Sequence, residues 1–167
     1  KNSESIILFD SISDLDDLDI MISKNMSKII SFGYDTHKIL KDKKINHETS
    51  DTYLSKNDLK IIQKTAYSIS EWYSADVISK DISYEGVNLG SLVKDELINI
   101  LVNYLKKFFE LFKISKEFMN STFIGSQTCC KIMKNFSKKT NKFKNSKTED
   151  LQPFPLDSIK IKMKIGT

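Results

Sequence analysis

Asp35, His37, His47, Glu48 and Asp51 fall close together in the chain, and imidazoles beside carboxylates are the groups that move protons near neutral pH. Each also has a plainer reading, His37 as an exposed residue in the first turn of a helix and His47 as a loop residue bonded to its neighbours. A second set, Gly86, Asn88, Gly90, Ser91 and Lys94, combines residues that permit unusual backbone angles, residues that cap a helix, and a lysine one turn in. It reads either as a capped turn or as a helix start that holds an anion such as phosphate or carboxylate. No glycine-rich phosphate loop, HExxH, GxSxG or paired-cysteine motif occurs, and no residue set has metal-ligand spacing.

The elements that must carry these residues follow from periodicity. Ser5 to Phe9 is a short continuous apolar run ending at Asp10-Ser11, as expected of a strand buried on both faces. Leu15, Leu18, Met21 and Ile22 recur at helical spacing, and Lys28 to Phe32 is a second strand candidate ending at Gly33. Strand, helix and strand in that order make a parallel βαβ unit. Tyr34 to Leu40 reads as a helix that ends in Lys41, Lys43 and Lys44, and Ile45 to Glu48 as a third short strand. Ser55 and Asp58 have the form of a capping box, followed by the helical stripe Leu59, Ile62, Ala66, Ile69 and Tyr73.

Leu97 to Phe112 is the longest apolar helix in the sequence, with a narrow polar stripe at Asp95, Asn99, Asn103, Lys106, Glu110 and Lys113. Such a helix is expected to be mostly buried between a sheet and another layer. Its polar residues interrupt every window well short of the ~20 apolar residues that a membrane span needs. Ser115 to Ser126 reads as irregular, 126–136 as a further helix, and 137–152 as a lysine-rich loop. Ser158 to Ile165 alternates apolar residues with lysine, the pattern of a strand with one wet face.

The net charge of +4 conceals an acidic beginning, Asp10, Asp14, Asp16, Asp17 and Asp19, and a basic stretch from Lys131 to Lys147. Every basic residue is lysine, which argues against specific nucleic-acid recognition, where arginine's planar fork is favoured. A solvated loop and an anionic membrane face both suit the lysines. Cys129 and Cys130 are adjacent and read as free thiols in a reducing compartment, so a cytoplasmic location is expected. The chain lacks an initiator methionine and stops on an alternating run, from which a fragment of a longer protein is expected.

The runs Ile30 to Leu40, Ile45 to Leu54 and Tyr84 to Gly90 resemble the N-terminal part of surface-polysaccharide biosynthesis proteins that look like two-domain GT-B glycosyltransferases. Gly33 stands where that pattern has an acidic residue. The resemblance implies a Rossmann-like α/β domain with a short, mostly parallel sheet, facing a glycan or lipid-linked acceptor. A missing C-terminal domain would hold the nucleotide sugar, and the 167 residues alone would be inactive. It makes His37 the first candidate base, with Asp35, His47 or Glu48 as replacements, and lets Gly86 to Lys94 line the cleft. No metal or cofactor is implied beyond the nucleotide-sugar donor. Peripheral contact with the inner membrane face is consistent with such a role. Transfer of glycerol phosphate or a related unit on the same fold, and a non-catalytic interaction module with a basic loop, are the alternatives.

Overall fold

The computed structural model describes residues 5–22 and 27–144. Its centre is a five-stranded sheet, β1 (Ser5–Phe9), β2 (Ser27–Ser31), β3 (Glu48–Thr49), β6 (Thr122–Gly125) and β7 (Thr140–Lys142), in the order β3-β2-β1-β6-β7. Every pairing in it is parallel. β1 is therefore central, which is why its side chains are buried on both faces. Ile6 and Leu8 point into one core cluster, and Ile7 and Phe9 into the other.

α1 (Leu15–Ile22) and α2 (Tyr34–Asp42) connect the first three strands. They cover one face through Leu15, Leu18, Met21, Ile22 and Leu40. The opposite face is covered by α5 (Lys94–Glu117) and α6 (Gln127–Met133), through Phe108, Leu111, Ile114, Cys129, Ile132 and Met133. The fold is thus α/β and Rossmann-like, as the βαβ reading predicts. The crossover from β3 to β6 contains α3 (Lys56–Ser70), α4 (Asp76–Asp81) and a small antiparallel hairpin, β4 (Ser83–Tyr84) with β5 (Val87–Asn88).

The capping box that opens α3 forms as its sequence demands. Ser55 Oγ accepts from the Asp58 amide at 3.1 Å, and the Asp58 carboxylate accepts from the Ser55 amide at 2.9 Å. The stripe behind it is narrower than periodicity suggests, because Ile62 and Ala66 are buried while Leu59 and Ile69 are exposed. α5 also departs from expectation. Its buried residues are Glu110, Leu111, Ile114 and Ser115, whereas its first half stays partly exposed, and the helix packs along its length mainly on α3.

Two strands fall where the sequence reads as loop. β6 lies inside the stretch expected to be irregular, and its four residues complete the sheet beside β1. β7 lies inside the expected lysine-rich loop; as an edge strand it has little need of apolar residues, which hides it from a hydrophobic pattern. The third strand begins at Glu48, so Ile45 to His47 lead into it. The strand expected at Ser158 to Ile165, and the loop beyond Lys144, lie outside the described residues. Among the described residues, no helix is long and apolar enough to cross a membrane.

Candidate functional site

In an open parallel sheet, ligands bind outside the carboxyl ends of the strands where the strand order reverses. Here that point lies between β1 and β6, and the backbone there is tight: a Cβ on Gly125 would sit 2.9 Å from the Leu8 carbonyl oxygen. Asp10 follows β1 directly and Ser126 follows β6, so chain topology alone brings them together. Ser126 caps α6 by accepting from the Cys129 amide at 3.1 Å, and its hydroxyl donates to Asp10 Oδ2 at 3.0 Å. Lys107 reaches across from α5 and places its ammonium on the same oxygen.

The side chain of Asp10 is 6% exposed, and its other oxygen, Oδ1, is buried without a hydrogen-bond partner. A buried acceptor left unpaired costs about 1–3 kcal/mol, so such groups are few and call for an explanation. A hydrogen-bond donor such as a hydroxyl is what this oxygen lacks. The ammonium of Lys107 also lies 5.9 Å from the centroid of the Phe32 ring. Burial works against its charge, but the Asp10 carboxylate, by its charge and its hydrogen bond, works for it, and the pKa stays above the ordinary lysine value. Behind them the Cys129 thiol is fully buried, and burial, reinforced by the Asp10 charge, pushes its pKa well up. It is a packed neutral thiol, and Cys130 is likewise free and buried.

Of the candidates named from sequence, His37 and His47 come together, with Nδ1 of His37 2.9 Å from Nε2 of His47. Nδ1 of His47 in turn lies 2.8 Å from the Ile45 carbonyl. Asp35 is exposed in the first turn of α2. Glu48 turns to other partners: it pairs with Lys28 at 2.8 Å and accepts from the Tyr53 hydroxyl at 2.5 Å, and both bonds lower its pKa. Asp51 is exposed in the 3-10 turn that follows β3.

The second set forms one local network. Asn88 accepts from the Gly90 amide at 2.9 Å and donates to the Tyr73 carbonyl and to Ser79. Ser91 donates to the Asn88 carbonyl at 2.6 Å, and Lys94 pairs with Glu71 at 2.9 Å. Gly86 supplies the positive φ, +81°, that turns the hairpin. The residues share one structure: Asn88 caps a 3-10 turn, Leu89–Val93, that contains Gly90 and Ser91, and Lys94 opens α5 directly behind it.

Two open grooves, of about 400 and 610 Å³, lie along the C-terminal end of α5, toward the amino edge of the sheet and away from Asp10. Among the described residues, no group of three or more histidine, cysteine, aspartate or glutamate side chains is arranged to hold a metal ion. Sequence reasoning overlooked Asp10, Lys107 and Ser126. An aspartate ending the first apolar strand run was the signal for the first, and the cap position at Ser126 for the third. Nothing local marks Lys107. Compared with known families, curated proteins and solved structures, the chain matches none.

Proposed function

We propose that this chain is the acceptor-side domain of a GT-B-type glycosyltransferase of cell-surface glycan assembly, with its reacting centre at Asp10. The observation that carries the reading is the unpartnered, buried Oδ1 of Asp10 at the reversal point of the sheet. In the reaction, Oδ1 accepts the proton of an acceptor hydroxyl as that oxygen attacks the anomeric carbon of a nucleotide sugar. The bond from that carbon to the nucleotide phosphate breaks, and the phosphate leaves with the electron pair. Lys107 stays beside the carboxylate and orients it. Support for a sugar over another transferred group comes from the resemblance of Ile30 to Leu40, Ile45 to Leu54 and Tyr84 to Gly90.

A second reading is transfer of a phosphate-linked unit, and Lys107 favours it, because an ammonium beside the carboxylate offsets the repulsion between Asp10 and an incoming phosphate. Here Oδ1 attacks phosphorus, the donor's leaving group departs with the electron pair of the bond that breaks, and the acyl phosphate then passes to the acceptor oxygen, whose proton goes to water as the carboxylate is released.

The test is saturation-transfer NMR of the whole chain with monosaccharides, polyols and soluble lipid-linked glycan fragments, alongside intact mass after incubation with acetyl phosphate. Acceptor binding that is lost in Asp10→Asn supports the first reading. A phosphate adduct that is lost in the same variant supports the second. If the folded wild type neither binds a glycan nor gains phosphate, both fail.

A further inference from the structure

Charge is distributed unevenly between the layers of this fold. The layer of α1 and α2 mixes both signs, Asp16, Asp17 and Asp19 with Lys38, Lys41 and Lys43, while α6, β7 and the turns around them carry Lys131, Lys134, Lys138, Lys139, Lys142 and Lys144. From Phe118 to Lys144 there is no aspartate or glutamate. All six lysines are exposed, and among the described residues none forms a salt bridge; Lys139 donates to the Asn120 carbonyl at 3.3 Å. Because Phe143 packs with the α1 and α2 cluster, strand alternation puts Lys142 on the opposite face of the sheet, the one that α6 covers.

The same side presents apolar groups. Met119 is 72% exposed, beside Asn120 and therefore beside Lys139. It borders the 400 Å³ groove, whose walls include Phe112, Phe136 and Lys116. The rings of Phe112 and Phe136 pack edge to face with centroids 5.4 Å apart, so neither is free to stack on a base.

We propose that the α6–β7 side is a docking surface for an anionic lipid membrane. Exposed lysines supply attraction to phosphate headgroups, and Met119 with the neighbouring groove supplies an apolar contact at the headgroup boundary. A nucleic acid is the poorer match: arginine is absent, and the two aromatic rings are held against each other. The layer of α1 and α2, on the opposite face of the sheet, mixes both signs of charge, so the side that carries lysines alone is the one drawn to the membrane as the domain approaches. The inference stands apart from the chemistry assigned to Asp10, and its test leaves that site untouched.

The experiment is co-sedimentation of the whole chain with phosphatidylcholine vesicles, with and without phosphatidylglycerol, at low and high salt. Binding is expected only to the anionic vesicles and is expected to fall as salt rises. Each lysine reversed to glutamate among Lys131, Lys134, Lys138 and Lys139 should lower the partition coefficient by about fivefold or more. Met119→Ser, at an exposed site that does not challenge folding, should also weaken it. Equal binding to neutral vesicles overturns the proposal. So do unchanged binding by folded lysine variants and preferential binding to a single-stranded oligonucleotide in a competition with anionic vesicles.

Discussion

Lys107 lies ninety-seven positions after Asp10 in the chain, yet the ammonium of the first rests on Oδ2 of the second and ties α5 to the carboxyl end of β1. The pair is buried on the aspartate side and mostly covered on the lysine side. Removing only the cation leaves a desolvated carboxylate alone. Lys107→Met is therefore expected to destabilise the fold by about 3–5 kcal/mol, whereas Lys107→Met with Asp10→Asn recovers a substantial part of that loss. Urea denaturation of the two single variants and the double variant measures the coupling. Additive losses would mean that the ion pair is not what joins the two elements.

Asp58 gives the fold an acid-sensitive cap. Hydrogen bonds from the Ser55 hydroxyl, then from Lys113 and the Ser55 amide, hold its carboxyl at about 2, below its ordinary value of 3.8. A depressed carboxylate adds stability above its unfolded pKa and loses it as pH falls through the folded one. The advantage of wild type over Asp58→Asn should thus be constant above about pH 4 and shrink toward about pH 2. Urea midpoints collected across that window check it; a gap that does not change with pH would remove the carboxylate from the account.

Glu110 works in the opposite sense. Burial raises its pKa despite Lys106, whose ammonium is 3.5 Å from Oε1, an oxygen that lacks a hydrogen-bond partner. An acid whose folded pKa is raised penalises the fold increasingly as pH climbs through its unfolded value and up to the folded one. Glu110→Gln is accordingly expected to stabilise by about 1 kcal/mol at neutral pH and to lose that gain in acid. Thermal melts at pH 7 and below the carboxylate range decide; a destabilised variant at neutral pH would show that Lys106 satisfies the charge better than the geometry implies.

Gly90 anchors the hairpin lobe by having no side chain. A Cβ there would lie 2.3 Å from Tyr73 Cβ, an atom that moves only with its backbone. Gly90→Ala should cost about 1–3 kcal/mol, with amide exchange rising first from Tyr73 to Leu92. Unchanged protection in that lobe would contradict the packing described.

How much of this was legible depended on burial. Ser5 to Phe9 announced itself because a central strand needs apolar residues on both faces, and Ser55 with Asp58 because a capping box is a local device. β6 was hidden by its brevity and by Gly125, and β7 by its place at the edge, where Thr140, Asn141 and Lys142 suffice. The site followed the same division. Asp10 and Ser126 sit at readable boundaries, one ending a strand and the other capping a helix. Lys107 reads as one lysine of a Lys106-Lys107 pair on an apolar helix, and only the packing of α5 across the sheet shows which of the two turns inward.

His37 and Asp10 are rival centres, and their hydrogen bonds separate them. The Ile45 carbonyl can only accept, so Nδ1 of His47 carries the proton facing it. Nε2 of a neutral His47 then accepts, which puts a proton on Nδ1 of His37 and leaves Nε2 of His37 as the one acceptor in the pair. Where both rings are neutral, long-range nitrogen-15 spectra should show each as the Nδ1-protonated tautomer. The two rings brace each other, while Oδ1 of Asp10 has no partner, so acceptor binding should weaken at least about tenfold in Asp10→Asn, the loss of one charge-assisted hydrogen bond. His37→Ala should leave that binding unchanged. The reverse pattern, binding lost with His37 and kept with Asn at position 10, would move the reacting centre to the imidazole pair.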